Sequence, residues 1–258
     1  MKLFYRELGS GDTTLVILHG LFGSSDNWLS IARGLEEEYK LYLVDQRNHG
    51  QSFKTDEFNY KLLSEDLKQF IETHQINQPV IIGHSMGGKT AMNFAVHYPK
   101  LLKALVIVDI APKDYKVHHD VILDGLKAIP ITEISSRNEA DKILAEYVPE
   151  VAVRQFLLKN LSRKSDGGFE WKINLKSINN NIEVIGQGMQ YPGKYEGPTL
   201  FIRGKKSNYI KDEDRNLITE IFPDSNLVSF EDAGHWVHAE QPEKFLATIK
   251  EFLKNKVV

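Results

Sequence analysis

The stretch "PVIIGHSMGGK", residues 79–89, decides how this sequence of 258 residues is interpreted. A short apolar run leads into a serine that stands between two glycines, in the pattern G-x-S-x-G, and helix-forming residues follow. A sharp turn from a strand into a helix exposes the serine oxygen, and the glycines allow a close backbone approach that side chains would block. The pattern predicts Ser85 as a nucleophile. The alternative, a turn serine that caps the helix, leaves both glycines unexplained.

On either side of this stretch, short apolar runs alternate with segments of helical periodicity. The runs cover residues 13–20, 39–45, 79–85, 103–112, 198–204 and 226–235. Helical patterns cover residues 60–76, 87–99 and 241–255. Runs that are apolar on both faces are typical of buried parallel strands. The alternation therefore predicts an α/β fold with a mostly parallel central sheet and helices on both faces.

The alternation is interrupted between Pro112 and about Pro192, where several helix-like pieces occur without a strand-like run. A segment of about 80 residues is too long to be a loop between two core strands of a compact domain. The sequence thus predicts a core formed by residues 1–111 and 193–258, with an inserted helical cap over residues 112–192.

Composition excludes several classes of function. The net charge of −3 provides no basic field for nucleic acid. The absence of cysteine rules out disulfides, thiolate metal sites and a cysteine nucleophile, and it fits a reducing compartment. The N-terminal residues do not resemble a signal peptide, and no apolar stretch is long enough to span a membrane. We expect a cytoplasmic protein without a nucleic-acid partner; its oligomeric state stays open.

The segment "LHGLFGSSDNW", residues 18–28, follows the first long strand and supplies a second signal. Acyl transfer requires N–H donors directed at the developing oxyanion. In a strand–serine–helix architecture these are the N–H that follows the nucleophile and one from this loop. Met86 and Leu21 are the expected donors, with Phe22 as the alternative to Leu21. His19 is interpreted as a structural residue of the turn.

The segment "EDAGHWVHAEQPE", residues 231–243, follows the last strand. A histidine on such a loop can reach the serine and act as a general base near neutral pH, which predicts this role for His235. His238 is interpreted as a packing or hydrogen-bonding support. The remaining histidines lack the spacing of metal ligands, so neither a metal nor a cofactor is predicted. These remaining histidines are His49, His74, His84, His97, His118 and His119.

The segments "HGLFGS", "DQRNHGQS", "GHSMGGK", "VDIAPKDY" and "GHWVHAE", in this order, resemble the α/β-hydrolase superfamily and specifically the small bacterial YbfF-type esterases. The resemblance implies the α/β-hydrolase fold, with Ser85 as nucleophile, His235 as base, and Leu21 with Met86 as the oxyanion hole. The sequence departs from the family pattern at Asn48, where a glycine is common.

The resemblance leaves the catalytic acid to be chosen among several residues. In most of the superfamily a carboxylate follows the strand 198–204, three residues after its last glycine, but this sequence has Ser207 there. Asp212 and Asp214 come later, at the expected start of a helix, where acids ordinarily complement the helix dipole. Asp109 ends a neighbouring strand, at a position that part of the superfamily uses. We expect Asp109 to be the acid with Ser207 as its support; the alternative for Asp109 is a cap of the following turn.

Together these residues predict a serine carboxylic-ester hydrolase that acts on small to medium acyl esters or thioesters through an acyl-enzyme. Two alternatives stay open: a carbon–carbon bond hydrolase of the same fold, and a non-catalytic ligand-binding protein. Apolar residues near the serine are expected to line an acyl pocket, unless they only attach the cap to the core. These residues are Phe22, Ile122, Leu126, Phe156 and Leu157. The basic run at residues 203–206 either attracts an anionic leaving group or is a solvated surface.

Overall fold

A seven-stranded sheet forms the centre of the protein in a computed structural model that describes residues 2–115, 120–165, 167–188 and 191–257. His118 and His119 lie outside the described residues. The strands are β1 (Tyr5–Leu8), β2 (Thr14–Leu18), β3 (Lys40–Val44), β4 (Val80–His84), β5 (Ala104–Val108), β6 (Leu161–Arg163), β7 (Phe169–Trp171), β8 (Thr199–Gly204) and β9 (Ser225–Phe230).

The central sheet has the strand order β1-β3-β2-β4-β5-β8-β9. Only β1 pairs in the antiparallel sense, with β3, and all the other pairs are parallel. Every residue of β4 and β5 is buried, as expected for central strands that are covered on both faces. The predicted mostly parallel sheet is confirmed, and the carboxyl ends of β4, β5 and β8 lie side by side at one edge.

Helices cover both faces of the sheet. They are α1 (Leu29–Arg33), α2 (Tyr60–Thr73), α3 (Met86–His97), α4 (Asp120–Ala128), α5 (Arg137–Ala145), α6 (Val151–Leu158), α7 (Leu175–Gly186), α8 (Arg215–Ile221), α9 (Val237–Glu240) and α10 (Pro242–Lys256). The apolar faces of α2, α3 and α8 share one buried cluster, and those of α1, α9 and α10 share another. In the described part of the chain, no helix is both long enough and apolar enough to cross a membrane.

The segment between β5 and β8, which we call the insertion, contains α4 to α7 and an antiparallel pair of short strands, β6 and β7. The sequence-based expectation of a purely helical segment is wrong on this point. Strands of three residues are too short for an alternating pattern to be detected. The division into a core and a cap at residues 112–192 stays a prediction. The apolar cluster of the insertion is shared with the core residues Phe22, Phe58, Tyr60, Leu63 and Met86.

Asn48 explains why a glycine is dispensable in the turn after β3. Its φ is +66°, in the left-handed region that asparagine tolerates better than most side chains. The side chain is fully buried and its amide donates to the hydroxyl of Ser177 on α7 over 3.1 Å. The backbone N–H of Asn174 donates to the Asn48 carbonyl over 2.8 Å. Asparagine therefore adopts the backbone conformation that the turn requires, and its hydrogen bonds attach the turn to the insertion.

Candidate active site

Ser85 occupies the turn between β4 and α3 in a strained backbone conformation, with φ of +53° and ψ of −117°. Its N–H donates to the carbonyl of Val108 over 3.0 Å, which attaches the turn to the end of β5. A Cβ atom on Gly87 would lie 2.4 Å from the carbonyl oxygen of Leu18, and one on Gly83 would lie 2.3 Å from that of Gly87. Both glycines are thus required by close backbone packing, and strain of this kind is concentrated at functional sites.

Asp109 follows β5 directly and is completely buried. Its Oδ1 accepts a hydrogen bond from the N–H of Gly204 over 3.0 Å. Its Oδ2 accepts from the Ser207 hydroxyl over 2.5 Å and from Nδ1 of His235 over 2.8 Å. The structure brings the predicted acid, base and support together, and Ser207 contacts the carboxylate from the loop after β8.

The two later aspartates make other contacts. Asp212 is 71% exposed in its side chain and pairs with Arg203 over 2.5 Å. Asp214 is buried and pairs with Lys113 over 2.6 Å. Neither carboxylate is hydrogen-bonded to His235. Because the Arg203 guanidinium is buried and bound to Asp212, it is not a free surface cation for an anionic leaving group.

Besides the hydrogen bond to Asp109, two further contacts hold His235. Its ring stacks on Tyr209, with ring centres 4.0 Å apart and planes at 19°. Its backbone carbonyl accepts a hydrogen bond from Nε2 of His84 over 2.8 Å. Burial lowers the pKa of His84 well below its ordinary value, aided by the neighbouring histidines, so its ring is neutral. His84 therefore positions the His235 loop, a role that sequence reasoning missed because nothing in its spacing distinguishes it.

His238 makes packing contacts. Its ring lies parallel to Trp28 with centres 4.1 Å apart, and it meets His84 edge-on at 4.9 Å. Burial lowers the pKa of His238 to about 3, with a further contribution from His235. Its Nδ1 is buried and has no hydrogen-bond partner in the described part of the chain. Of the two supporting roles foreseen for His238, the contacts correspond to packing.

The Gly20–Leu21 peptide is oriented by two hydrogen bonds to its carbonyl group. The Gly20 oxygen accepts from the N–H of Gly23 over 2.9 Å and from Nδ1 of His19 over 2.8 Å. The Leu21 N–H, on the other side of the same peptide, has no acceptor among the described residues. Met86 is the first residue of α3, and N–H groups in the first turn of a helix lack a partner within the helix. Two uncommitted donors therefore lie in the two loops predicted to form the oxyanion hole.

Phe22, the alternative donor, already uses its N–H to bind Nε2 of His49 over 3.2 Å. Burial lowers the pKa of His49 to about 3, so its ring is neutral. Its Nδ1 donates to the carbonyl of Arg47 over 3.0 Å, which leaves Nε2 as the acceptor. The Phe22 carbonyl accepts from the side-chain amide of Asn160 over 2.7 Å, and the φ of Phe22 is +61°. The loop is thus clamped on one side by the core and on the other by the insertion. The sequence carried no signal for Asn160, which lies 138 residues further along the chain.

Two cavities meet at Ser85. The first has a volume of about 670 Å³ and the second about 530 Å³. Both are lined by Leu21, Ser85, Ile122 and Tyr209. The predicted pocket residues Phe22, Phe156 and Leu157 line the first cavity, together with His235. Leu126 was expected beside them but packs in the apolar cluster of the insertion instead. No cluster of three or more potential metal ligands occurs among the residues that the structure describes.

A strained serine at the end of a central parallel strand lines the first cavity together with a histidine bound to a buried carboxylate, which is the arrangement of the α/β-hydrolase class. The family model for the α/β hydrolase fold matches residues 13–130. The chain belongs to this family.

Comparison with known proteins places the chain within the family more closely. It is 40% identical to the sn-1-specific diacylglycerol lipase ABHD11 of Danio rerio, over 95% of this chain and 80% of the lipase. It is 35% identical to esterase YbfF of Escherichia coli (strain K12), over 95% and 94% of the two chains. The solved structure of a marine microorganism esterase superimposes with a TM-score of 0.95 at 45% identity, covering 98% and 99%. The resemblance to YbfF-type esterases is confirmed.

Proposed function

We propose that this protein is a serine carboxylic-ester hydrolase with Ser85 as nucleophile, His235 as general base and Asp109 as the acid that orients the base. That the enzyme hydrolyses ester bonds follows from its family, in which the relatives above are named as an esterase or a lipase. The observation that supports the triad most directly is the 2.8 Å contact between His235 Nδ1 and Asp109 Oδ2, at the sheet edge where Ser85 lines both cavities.

In the first half of the reaction, the Ser85 oxygen attacks the carbonyl carbon of the ester while Nε2 of His235 takes the hydroxyl proton. The carbonyl oxygen becomes an oxyanion that accepts hydrogen bonds from the N–H groups of Leu21 and Met86. When this intermediate collapses, the bond to the leaving oxygen breaks and His235 returns its proton to that oxygen. An acyl-enzyme and a free alcohol result.

In the second half, water attacks the acyl carbon and gives a proton to His235. The bond to Ser85 then breaks, the serine oxygen regains the proton, and the carboxylic acid leaves. Asp109 stays ionised throughout and stabilises the imidazolium that forms twice in the cycle. Since its carboxylate accepts from Gly204, Ser207 and His235, the negative charge is stabilised inside the protein without solvent.

The cavities support small to medium acyl esters or thioesters as substrates. The first cavity is walled largely by apolar side chains, among them Ile122, Phe156 and Leu157, and such walls bind alkyl chains. A relative at 40% identity is named as a lipase of diacylglycerols, which is consistent with an apolar substrate. The cytoplasmic location and the lack of a nucleic-acid partner stay predictions.

The proposal is tested by combining active-site labelling with hydrolysis. Wild type, Ser85→Ala and a control, Ser135→Ala at an exposed serine of the insertion, are treated with a fluorophosphonate and assayed on p-nitrophenyl esters and acyl-CoA thioesters of graded length. We expect Ser85→Ala to escape labelling and to lose at least about 10³-fold in kcat, as triad nucleophiles do. The control should react like wild type. Activity of Ser85→Ala within tenfold of wild type would contradict the assignment, and an unlabelled, inactive wild type would favour the non-catalytic alternative.

A further inference from the structure

The second cavity contains a buried lysine that the mechanism above does not use. Lys89 follows Ser85 by four residues at the start of α3, and residues with this spacing share one face of a helix. Only 2% of its surface is exposed, and it lines the second cavity together with Ser85 and Met86. Lys89 is therefore one helical turn from the nucleophile along α3, and both residues line the same cavity.

Carbonyl oxygens and aromatic rings contact the ammonium of Lys89, but no carboxylate is paired with it. Its Nζ donates to the carbonyls of Gly186 over 3.0 Å and Gln187 over 2.7 Å, at the carboxyl end of α7. The rings of Tyr115 and Tyr60 lie 5.0 Å and 5.5 Å from Nζ, as in cation–π contacts. In the described part of the chain, no carboxylate is within 4.0 Å of this ammonium. A buried ammonium ordinarily pairs with an anion, and two of the three donors of this one are accounted for.

Four other polar side chains of the second cavity have partners, while Asn208 and the exposed Lys211 line it as well. The hydroxyl of Tyr60 donates to the carbonyl of Ile185 over 2.9 Å, and that of Tyr115 to the carbonyl of Tyr209 over 2.6 Å. Lys113 is paired with Asp214, and the Asp114 carboxylate accepts from the N–H of Gly188. Lys89 is therefore the cation of this cavity that is both buried and without a paired carboxylate.

We propose that the second cavity binds the half of the ester that carries a carboxylate, and that the ammonium of Lys89 selects this half by a charge-assisted hydrogen bond. The inference rests on the proposed function, because Ser85 is the point at which both halves of the substrate meet. The first, apolar cavity is then left for the uncharged half. Since either the acyl group or the alcohol can carry the carboxylate, the experiment includes both series.

The same contacts predict how this selectivity depends on pH. Burial lowers the pKa of Lys89 to about 8, against a smaller opposing effect of Asp114. The ionisable groups nearest its charge are Asp114 and Tyr115 from the segment after β5, and Tyr60 from α2. Lys113, Tyr209 and Lys211 line the same cavity, and the end of α7 contributes the carbonyl oxygens of Gly186 and Gln187. Burial raises the pKa of both tyrosines, so they stay neutral near pH 8. The ammonium is present below pH 8 and is lost above it, and selectivity for a carboxylate should follow.

The experiment compares charged esters with uncharged analogues of the same shape. Monobutyl esters of succinic, glutaric and adipic acid are paired with the esters in which the free carboxylate is a carboxamide. A second series uses acetate esters of 3-hydroxypropanoate and 4-hydroxybutanoate with their amides. Hydrolysis is followed by titration of released acid at constant pH. The measured quantity is the ratio of kcat/KM for carboxylate over carboxamide, in which ionisation of His235 cancels.

For wild type at pH 7 we expect a ratio of about 10 or more in one of the two series, and the series that shows it identifies the charged half. The ratio should fall several-fold between pH 7 and pH 9.5. Lys89→Met should lower the ratio at least about tenfold, and Lys89→Arg should restore part of it. Lys211→Met, which removes an exposed lysine at the rim of the same cavity, should change the ratio by no more than about twofold because solvent screens it.

Failure of this inference is distinguishable from failure of the proposed function. If the carboxamides are hydrolysed but the ratio stays near or below 1 in both series, or does not respond to Lys89→Met or to pH, the inference is wrong and the esterase stands. If no ester of either kind is hydrolysed, the proposed function itself is wrong. Calorimetric titration of Ser85→Ala with the carboxylate and the amide from whichever series shows the higher ratio provides a readout without turnover, and equal affinities for that pair would also overturn the role of Lys89.

Discussion

Ser85, Asp109 and Phe22 share an unusual backbone conformation, with φ of +53°, +50° and +61°. Residues with side chains adopt this region at a cost of about 1–3 kcal/mol each, and they do so when surrounding contacts hold them there. Those contacts are present: Asp109 donates its N–H to Ile202 over 2.8 Å, and Phe22 is bound at both its N–H and its carbonyl. Of the six non-glycine residues with positive φ in the described part of the chain, these three lie at the proposed nucleophile, acid and oxyanion loop, and the others are Asn48, Gln75 and Gln78.

The proposed assignment of Asp109 as the catalytic acid can be tested by substitution. We expect Asp109→Asn to lower kcat by about 10³ to 10⁴, because an amide cannot hold the catalytic tautomer of His235 or stabilise its imidazolium. The matched control is Asp212→Asn, which removes a carboxylate that is exposed and paired with Arg203; its kcat should stay within a few-fold of wild type. Both values come from steady-state hydrolysis of p-nitrophenyl butyrate. The reverse pattern would place the acid after β8.

Among the structural elements, the insertion contributes to the site through loops as well as through its helices. Asn160 follows α6 and donates to the Phe22 carbonyl, while α6 itself presents Phe156 and Leu157 to the first cavity. The buried apolar cluster of the insertion includes Met86, a proposed oxyanion donor at the start of α3, and Phe22, which follows the other proposed donor, Leu21. A change in the insertion is therefore expected to reach the chemical step as well as substrate binding.

Asn160→Leu tests this connection. Without the amide donor, the Phe22 carbonyl loses its partner and the oxyanion loop becomes less well oriented, so kcat should fall about 10- to 100-fold while KM changes little. Asn160→Gln should recover part of the loss, and Asn180→Leu, at an exposed position on α7, serves as the control. A rise in KM with unchanged kcat would instead assign Asn160 to substrate binding.

Substitution of Phe156 on α6 tests how the insertion determines substrate specificity. Replacing it with alanine enlarges the first cavity, and a methylene contact is worth about 1–3 kcal/mol in discrimination. We expect the chain-length optimum to move to longer acyl groups, with a smaller effect on acetates, as measured on p-nitrophenyl esters and on acetates of graded alcohols. Leu126→Ala, at a position buried away from both cavities, should lower stability by about 2–5 kcal/mol without moving the optimum. A shift only in the alcohol series would assign the first cavity to the leaving group.

Across the whole molecule, the loops at the carboxyl ends of the strands are joined by a set of buried histidines. Burial lowers the pKa of His19 to about 4, and those of His49 and His238 to about 3. Each ring is neutral in the folded protein but takes up a proton in the unfolded chain below about pH 6.5. The unfolded state then binds more protons, so the free energy of unfolding must decrease as the pH falls below that value.

His238→Phe is the variant that measures one of these contributions. Phenylalanine keeps an aromatic ring against Trp28 but cannot be protonated. Between pH 7 and pH 5, a histidine of this kind costs the folded state about 2 kcal/mol. We therefore expect the free energy of unfolding, measured with urea, to decrease between pH 7 and pH 5 by about 2 kcal/mol less in the variant than in wild type. If the free energy of unfolding decreases equally in both proteins, His238 takes up its proton in the folded state as readily as in the unfolded chain, and its pKa is not lowered.

Much of this protein is determined by short stretches of its sequence, because the relevant physics is local. Strand and helix periodicities fixed the order of elements, and the glycines around Ser85 predicted a tight turn whose packing the structure then displays. The left-handed backbone at Asn48 is also a local property, because asparagine tolerates this conformation better than most residues with side chains. The β6–β7 pair escaped detection because three residues carry too little periodicity to be distinguished from a loop.

The remaining features depend on which residues tertiary packing brings together. Asp109 and Ser207 could be named as candidates, but their hydrogen bonds join positions 98 residues apart, and only the parallel pairing of β5 with β8 makes them neighbours. No sequence signal indicated the contact of Asn160 with Phe22, and none indicated that Lys89, at the end of the serine motif, binds the end of α7. A hydrogen bond between distant residues requires no pattern at either end, so their partners were decided only by how the insertion packs on the sheet.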